Sequence, residues 1–197
     1  MTILLFSGGI DSFVLSKLLN VNKVAHFIVD PRASKLALME LFRLNPSFEV
    51  HLFDHRPYLR KVLEALSKAR LSSYLCLACK RAMILRAAQI DEEIVIGDSI
   101  GQVASQTLRN ASYLSKGVTL YRPLGGSDKE DEEEHLSDDL SVLARKVSSF
   151  KCPWKPPRVV TQMKREVEVL LDEIVYENLS YSVYLGMKKA REITSMG

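Results

Sequence analysis

The stretch Ile3-Leu-Leu-Phe6, running straight into Ser7-Gly-Gly-Ile-Asp-Ser12, decides the fold. A short apolar run ends in two glycines, and Phe13, Leu15, Leu18 and Leu19 then recur at helical spacing. Strand, tight turn and helix in that order open an α/β unit. The turn between them is a candidate phosphate site. Glycines let the backbone bend sharply and approach a ligand. The first amides of the following helix lack internal partners and, with the helix dipole, face an anion. Ser7, Gly8, Gly9 and Ser12 are the candidate phosphate-binding residues, the two serines as hydroxyl donors. Asp11 alone would repel a phosphate and makes sense with Mg²⁺ between them. A plain Ser-Gly-Gly turn with Asp11 and Ser12 as a helix cap is the competing reading, and the complete string is more specific than that. No Gly-Lys-Ser/Thr follows, so this is not the other common phosphate loop.

Four more β-rich runs follow at a regular rhythm: Val24–Val29, Glu49–Phe53, Ile94–Ile96 and Val118–Leu120. Leu36, Leu38, Leu41 and Phe42, and then Leu59, Val62, Leu63 and Leu66, are spaced as helices between them. The expectation is a doubly wound, parallel, five-stranded α/β sheet covered on both faces. Beyond Pro153, Pro156 and Pro157 the pattern changes. Gln162–Glu177 and Ser182–Ile193 read as two helices with no strand between them. The predicted division is a nucleotide-binding domain over 1–155 and a helical extension over 156–197 packed on it, as a cap or a homodimer contact.

The 197 residues are 47% hydrophobic and 26% charged, which suits a soluble globular chain with a full core. No apolar run reaches the roughly 20 residues of a membrane span. The N-terminus has neither a basic leader nor a small-residue cleavage site, so a cytoplasmic location is expected. A net charge of +3 permits nucleic-acid binding without arguing for it. The acidic tract Asp128–Asp139 reads as a solvated loop or helix face.

The Ser7–Ser12 string resembles the signature of the PP-loop ATP pyrophosphatase superfamily. Its members cleave ATP between the α and β phosphates, attach AMP to an oxygen, and let a sulfur or nitrogen nucleophile displace it. The family fold is a doubly wound, Rossmann-like sheet of the adenine nucleotide alpha hydrolase type. Two further segments resemble the PP-loop domain of tRNA 4-thiouridine synthetases: Ile96-Gly-Asp-Ser-Ile-Gly-Gln-Val-Ala-Ser-Gln-Thr107, and Arg122-Pro-Leu followed by Asp128-Lys129. The resemblance covers roughly residues 1–155. It implies ATP and Mg²⁺ as cofactors and tRNA as partner. It also implies that Asp98, Ser99 and Gln102 face the nucleotide, with Lys129 gripping the pyrophosphate. Arg122 either joins them or braces the local fold. Such chains normally carry an RNA-binding THUMP region, and some a rhodanese domain with a persulfide cysteine. Neither is seen here, so a separate THUMP-type RNA-binding protein and a separate sulfur donor are expected.

Three cysteines remain: Cys76-Leu-Ala-Cys79 and Cys152. An odd number argues against a disulfide framework. CxxC alone fits a zinc half-site, a redox pair or two buried apolar residues. No histidine sits at ligand spacing, and His135 is embedded in the acidic tract. Three thiolates suit a [4Fe–4S] cluster with one iron left open. The arrangement resembles tRNA thiolases that use such a cluster. Persulfide or disulfide chemistry at Cys152 and one CxxC thiol, and a structural or zinc role, stay open beside it. Lys80, Arg81 and Arg86 follow on the same helix and either meet a phosphate backbone or form a solvated face.

The resulting expectation is a tRNA-thiolating sulfurtransferase with Asp11, Cys76, Cys79, Lys129 and Cys152 as catalytic residues. Two rivals stand beside it. One is an adenylating enzyme acting on a small molecule, as in thiazole or deazapurine synthesis. The other is a non-catalytic ATP-binding subunit of an RNA-modifying complex.

Overall fold

A computed structural model of the chain describes residues 2–98, 107–127 and 134–193. Within them five parallel strands lie where the apolar runs predict. They are β1 (Thr2–Leu5), β2 (Lys23–Ile28), β3 (Glu49–Asp54), β4 (Glu93–Val95) and β5 (Thr119–Tyr121). The sheet order is β5-β4-β1-β2-β3-β6, where β6 (Val183–Lys188) is a sixth strand. The chain steps outward from β1 to β3, then returns to lay β4 on the other side of β1. That reversal puts a crevice beyond the carboxyl ends of β1 and β4, where sheets of this kind bind ligands.

Both faces of the inner strands β1 to β4 are covered, which is why they are largely apolar without alternation, whereas the outer strands β5 and β6 are partly exposed. Leu4, Val24, Val50, Leu52 and Val95 meet α1 (Ile10–Leu18), α2 (Pro31–Leu44) and α6 (Asp138–Ser149). Ile3, Ala25, Phe53 and Ile94 meet α3 (Arg56–Lys68), α4 (Leu75–Ala88), α5 (Leu108–Leu114) and α7 (Arg165–Asn178). Asp30 caps α2 by accepting from the amides of Arg32 and Ala33 at 2.8 and 3.2 Å. Asp138 and Asp139, the last residues of the acidic tract, open α6, where carboxylates suit the helix dipole.

The segment Ser182–Ile193 departs from expectation. It is not a helix: Val183–Lys188 forms β6, antiparallel to β3, and only Ala190–Ile193 (α8) is helical. The physical reason is tertiary. Gly186, at φ 89, is a poor residue for a helix interior. Beside it, β3 has an edge to be satisfied. The Tyr184 hydroxyl reaches His51 Nδ1 at 2.9 Å, and its ring packs against Phe53. At the strand's start Ser182 Oγ meets His55 Nδ1 at 2.8 Å, both buried.

Burial holds two imidazoles neutral. It lowers His26 to about 4, partly offset by the Phe6 carbonyl, and His55 to about 3, partly offset by Asp54 and the Cys79 backbone. The unfolded chain protonates both near pH 6.5, so between that pH and the folded values it binds more protons than the native state. Their stability contribution is therefore full above about pH 6.5 and is lost as pH falls through about 4 and about 3. Urea unfolding midpoints should fall progressively from pH 7 to pH 4, and His26→Gln should flatten that fall. An equally steep fall in the variant would show that other groups carry it.

Candidate active site

The Ser7–Ser12 loop occupies the predicted position between β1 and α1. Gly8 has φ 82, and a Cβ there would lie 2.4 Å from Ala37 Cβ and 3.1 Å from Val147 Cγ1. Only glycine fits. Both serines shape the loop, Ser12 from a buried position and Ser7 from an exposed one. Ser12 Oγ accepts from the Gly8 amide at 3.0 Å and donates to the Gly9 carbonyl at 2.9 Å. Ser7 Oγ accepts from the Gly9 amide at 3.2 Å. The first intrahelical bond runs from the Phe13 amide to Gly9. The amides of residues 10–12 precede it and are the groups that can meet an anion.

Beyond the loop lies a cavity of about 280 Å³, walled by Ser7, Asp11, Ser12, Lys80, Gly97 and Asp98. Lys80, one residue past Cys79 on α4, reaches Asp98 Oδ1 at 2.6 Å. Asp98 thus lines the crevice and is already paired. A second cavity of about 290 Å³ adjoins the first through Leu5, Ser7 and Met83, and Gly9, His26, Asp30, Phe150 and Cys152 line it. His26 Nδ1 is 2.8 Å from the Phe6 carbonyl, so the proton belongs on Nδ1, and Nε2 is left as a buried acceptor without a partner. Arg122 turns elsewhere: its guanidinium donates to Ser115 Oγ at 2.8 Å and to the Ala111 carbonyl at 3.1 Å, bracing β5 against α5. Ser99, Gln102 and Lys129 lie outside the described residues.

Cys76 and Cys79 stand in the first turns of α4, which follows α3 and leads into β4. Both are half-buried, and Cys152 is exposed. Burial pushes the Cys76 thiol up first, then Cys152 adds to it, while Lys155 and Lys80 work the other way. Cys79 is pushed up more strongly, by burial, then Cys152, then Cys76. The three sulfurs are thus electrostatic neighbours. Thiols raised in this way stay protonated at neutral pH until a metal or another positive charge arrives. Among the described residues no three His, Cys, Asp or Glu side chains are arranged around one metal ion. The zinc reading lacks that ligand set. A [4Fe–4S] cluster calls on thiolate donors, each on its own iron, and Cys76, Cys79 and Cys152 are the thiols this chain has for it.

A family model described as Thiamine biosynthesis protein (ThiI) matches residues 1–170. The chain belongs to the ThiI family. It is 28% identical over 176 residues to a probable tRNA sulfurtransferase of Methanocaldococcus jannaschii, covering 82% of this chain and 46% of that protein. It is 31% identical to a protein so described from Bacillus subtilis, covering 83% of this chain and 45% of that one. The chain therefore spans about half the length of the curated relatives it matches. Among solved structures, the crystal structure of a 4-thiouridine synthetase–RNA complex with bound ATP overlays 99% of this chain and 53% of its own. The TM-score is 0.69 at 20% identity, a likeness of fold.

Sequence reasoning on this ThiI chain missed Asp30, His26 and Gly97 as site residues. Asp30 had a readable signal, an acid at the end of a strand directly before a proline-started helix. Gly97 did not: a Cβ there would lie 2.7 Å from Asp11 Cβ, a contact between distant segments. Gly97→Ala should therefore displace Asp11 and weaken ATP binding by roughly tenfold or more, about 1.4 kcal/mol. Gly126→Ala, which meets nothing within 4 Å, should leave it unchanged. Isothermal titration with ATP checks both, and an unaffected Gly97→Ala would contradict the close-approach argument.

Proposed function

We propose that this chain is an ATP-dependent tRNA sulfurtransferase that adenylates a uracil oxygen and replaces it with sulfur, giving 4-thiouridine or a related base. The observation that carries the reading is a shared cavity wall. Ser7 and Gly9 of the anion-facing loop and the exposed Cys152 line the same space, so activation and sulfur delivery can meet at one base. The descriptions of the relatives as tRNA sulfurtransferases support the same acceptor.

In this reading the triphosphate lies against the amides of residues 10–12, and the adenosine enters the adjoining apolar cavity on its His26 and Asp30 side, leaving the Cys152 side to the base. There His26 Nε2 accepts a hydrogen bond and Asp30 offers a carboxylate. The uracil oxygen attacks the α-phosphorus, pyrophosphate leaves, and AMP remains on the base. Asp11 would hold Mg²⁺, which supplies positive charge beside the departing pyrophosphate. Asp98, Ser99, Gln102 and Lys129 complete the nucleotide contacts, and Arg122 supports them through its bonds to α5. Cys76, Cys79 and Cys152 would hold a [4Fe–4S] cluster, which when bound supplies an open iron for sulfide. The exposure of Cys152 beside less accessible CxxC thiols favours a second route. There the terminal sulfur of a Cys152 persulfide attacks the activated carbon and AMP departs. A CxxC thiol then attacks the Cys152 sulfur, freeing the thiolated base and leaving a protein disulfide. An external dithiol reduces that disulfide, and an external persulfide donor recharges Cys152.

The RNA partner belongs to the same proposal, with a THUMP-type RNA-binding protein as helper and the cytoplasm as location. Among the described residues no helix is long and apolar enough to cross a membrane. The family description names thiamine biosynthesis, which favours a small-molecule sulfur acceptor as the alternative.

With ATP, Mg²⁺, a sulfide source and unmodified tRNA, the products should be AMP, pyrophosphate and thiolated tRNA. Formation of ADP and orthophosphate would rule the chemistry out. Thiolation of a thiazole precursor in preference to tRNA would move the assignment to the small molecule. Asp11→Asn should slow turnover by roughly a hundredfold, about 3 kcal/mol in the barrier, with a smaller effect on ATP binding. Cys152→Ser should abolish sulfur incorporation yet bind ATP as before. Iron content of anaerobically purified protein separates the two sulfur routes: about four irons per chain for a cluster, none for the persulfide.

A further inference from the structure

Between Arg145 and Arg165 the chain carries seven cations, Arg145, Lys146, Lys151, Lys155, Arg158, Lys164 and Arg165, and no carboxylate. The rest of the sequence holds 20 Lys and Arg against 24 Asp and Glu, so the positive balance of the whole protein comes from this one segment. All seven side chains belong to exposed residues. Lys151, Lys155, Arg158, Lys164 and Arg165 form no ion pair among the described residues.

The segment is also fixed to the domain. Met163 and Pro156 are buried, and Trp154 packs on the core. The Val160 amide donates to the Ser73 carbonyl at 2.9 Å, at the foot of α4. The buried Asn110 donates to the Thr161 carbonyl at 3.1 Å and accepts from the Met163 amide at 2.7 Å. A turn closed by the Lys155 amide on the Cys152 carbonyl at 3.2 Å presents Cys152 in the middle of the strap. Its apolar side chains are thus turned inward, and no large hydrophobic residue from 145 to 165 is exposed. A protein partner needs an apolar centre to its interface, which this surface lacks. A phosphodiester backbone needs positive charges held in place, which it has.

We propose that residues 145–165 are the surface that takes the phosphate backbone of the tRNA and brings its target base to the cavity lined by Cys152. The assignment rests on the tRNA reading above and says where on the chain that RNA lies. The fixed strap orders little on binding, so its charges act without a large entropic cost.

The test is the affinity of the 197-residue chain for an unmodified tRNA transcript over a series of salt concentrations, with ATP binding measured separately. Each lost phosphate contact lowers the slope of log K against log salt by about 0.7–0.9. The triple change Lys151→Gln, Arg158→Gln, Lys164→Gln should therefore lower it by about 2–3 and weaken binding by roughly tenfold or more at 0.1 M salt. A control triple of exposed cations elsewhere, Lys35→Gln, Arg43→Gln, Lys68→Gln, should change the slope by less than about one. Unchanged affinity and slope in the strap triple, or equal losses in both triples, overturns the assignment. If the strap triple folds poorly, Arg158→Gln alone decides, with an expected slope change of about one. Should the unaltered chain bind ATP but no tRNA at any salt, the tRNA reading and this placement fall together. Should it bind tRNA indifferently to the strap, only the placement falls.

Discussion

Where β1 gives way to α1, the backbone passes between α2 and α6 with no room for a side chain. A Cβ on Gly8 would collide with Ala37 and crowd Val147. The left-handed turn this permits carries the chain from a buried strand into a helix whose first amides are open. From the other side, Gly97 presses the exit of β4 against Asp11 with the same lack of space. Three elements therefore pin one loop, and the loop's own serines consume their hydrogen bonds in holding its shape. Rigidity of this kind lets backbone amides act on a developing charge without first reorganising.

The contact with Val147 ties the Ser7–Ser12 loop to the segment that carries Cys152. Val147 belongs to the last turns of α6, and the chain leaves that helix through Phe150 to Cys152. On the opposite wall, α4 carries Cys76 and Cys79 and then Lys80, which meets Asp98 at the exit of β4. α6 and α4 thus flank the loop and lead to, or carry, the three cysteines. Behind α4, the buried Arg81 stands 3.5 Å from Asp172 and donates to the Leu114 carbonyl, so the helix is anchored to α5 and α7 as well. A buried cation with an acidic partner fixes orientation more than it adds stability.

Strands β1 to β4 were legible because burial on both faces leaves runs that are largely apolar, whereas β5, partly exposed, was read from Val118 and Leu120. The phosphate loop was legible because glycine, serine and aspartate have separate physical reasons to follow a strand in that order. β6 was not. Val183-Tyr-Leu-Gly-Met-Lys188 is exposed along much of its length, so burial left no period to read, and its pairing with β3 is a choice made by the sheet's edge. Gly97 and Arg122 illustrate the same limit from opposite directions. One is needed because a distant segment comes close, and the other is drawn to Ser115 and Ala111, partners that a motif in sequence does not specify. The proximity of the CxxC pair to Cys152 depended on the direction of α4, which the order of elements implies and the cysteine spacing does not.

The pairing of β6 with β3 joins residues about 130 positions apart. A ribosome delivers β1, β2 and β3 early and the partner of β3 late. Until then the backbone groups along that margin are bare, the ring of His51 has no tyrosine beside it, and His55 has no serine to hold. The nascent chain spends most of its synthesis with that seam open, the arrangement from which strand-exchanged aggregates grow. The last strand of the chain is therefore the one that closes the sheet's margin.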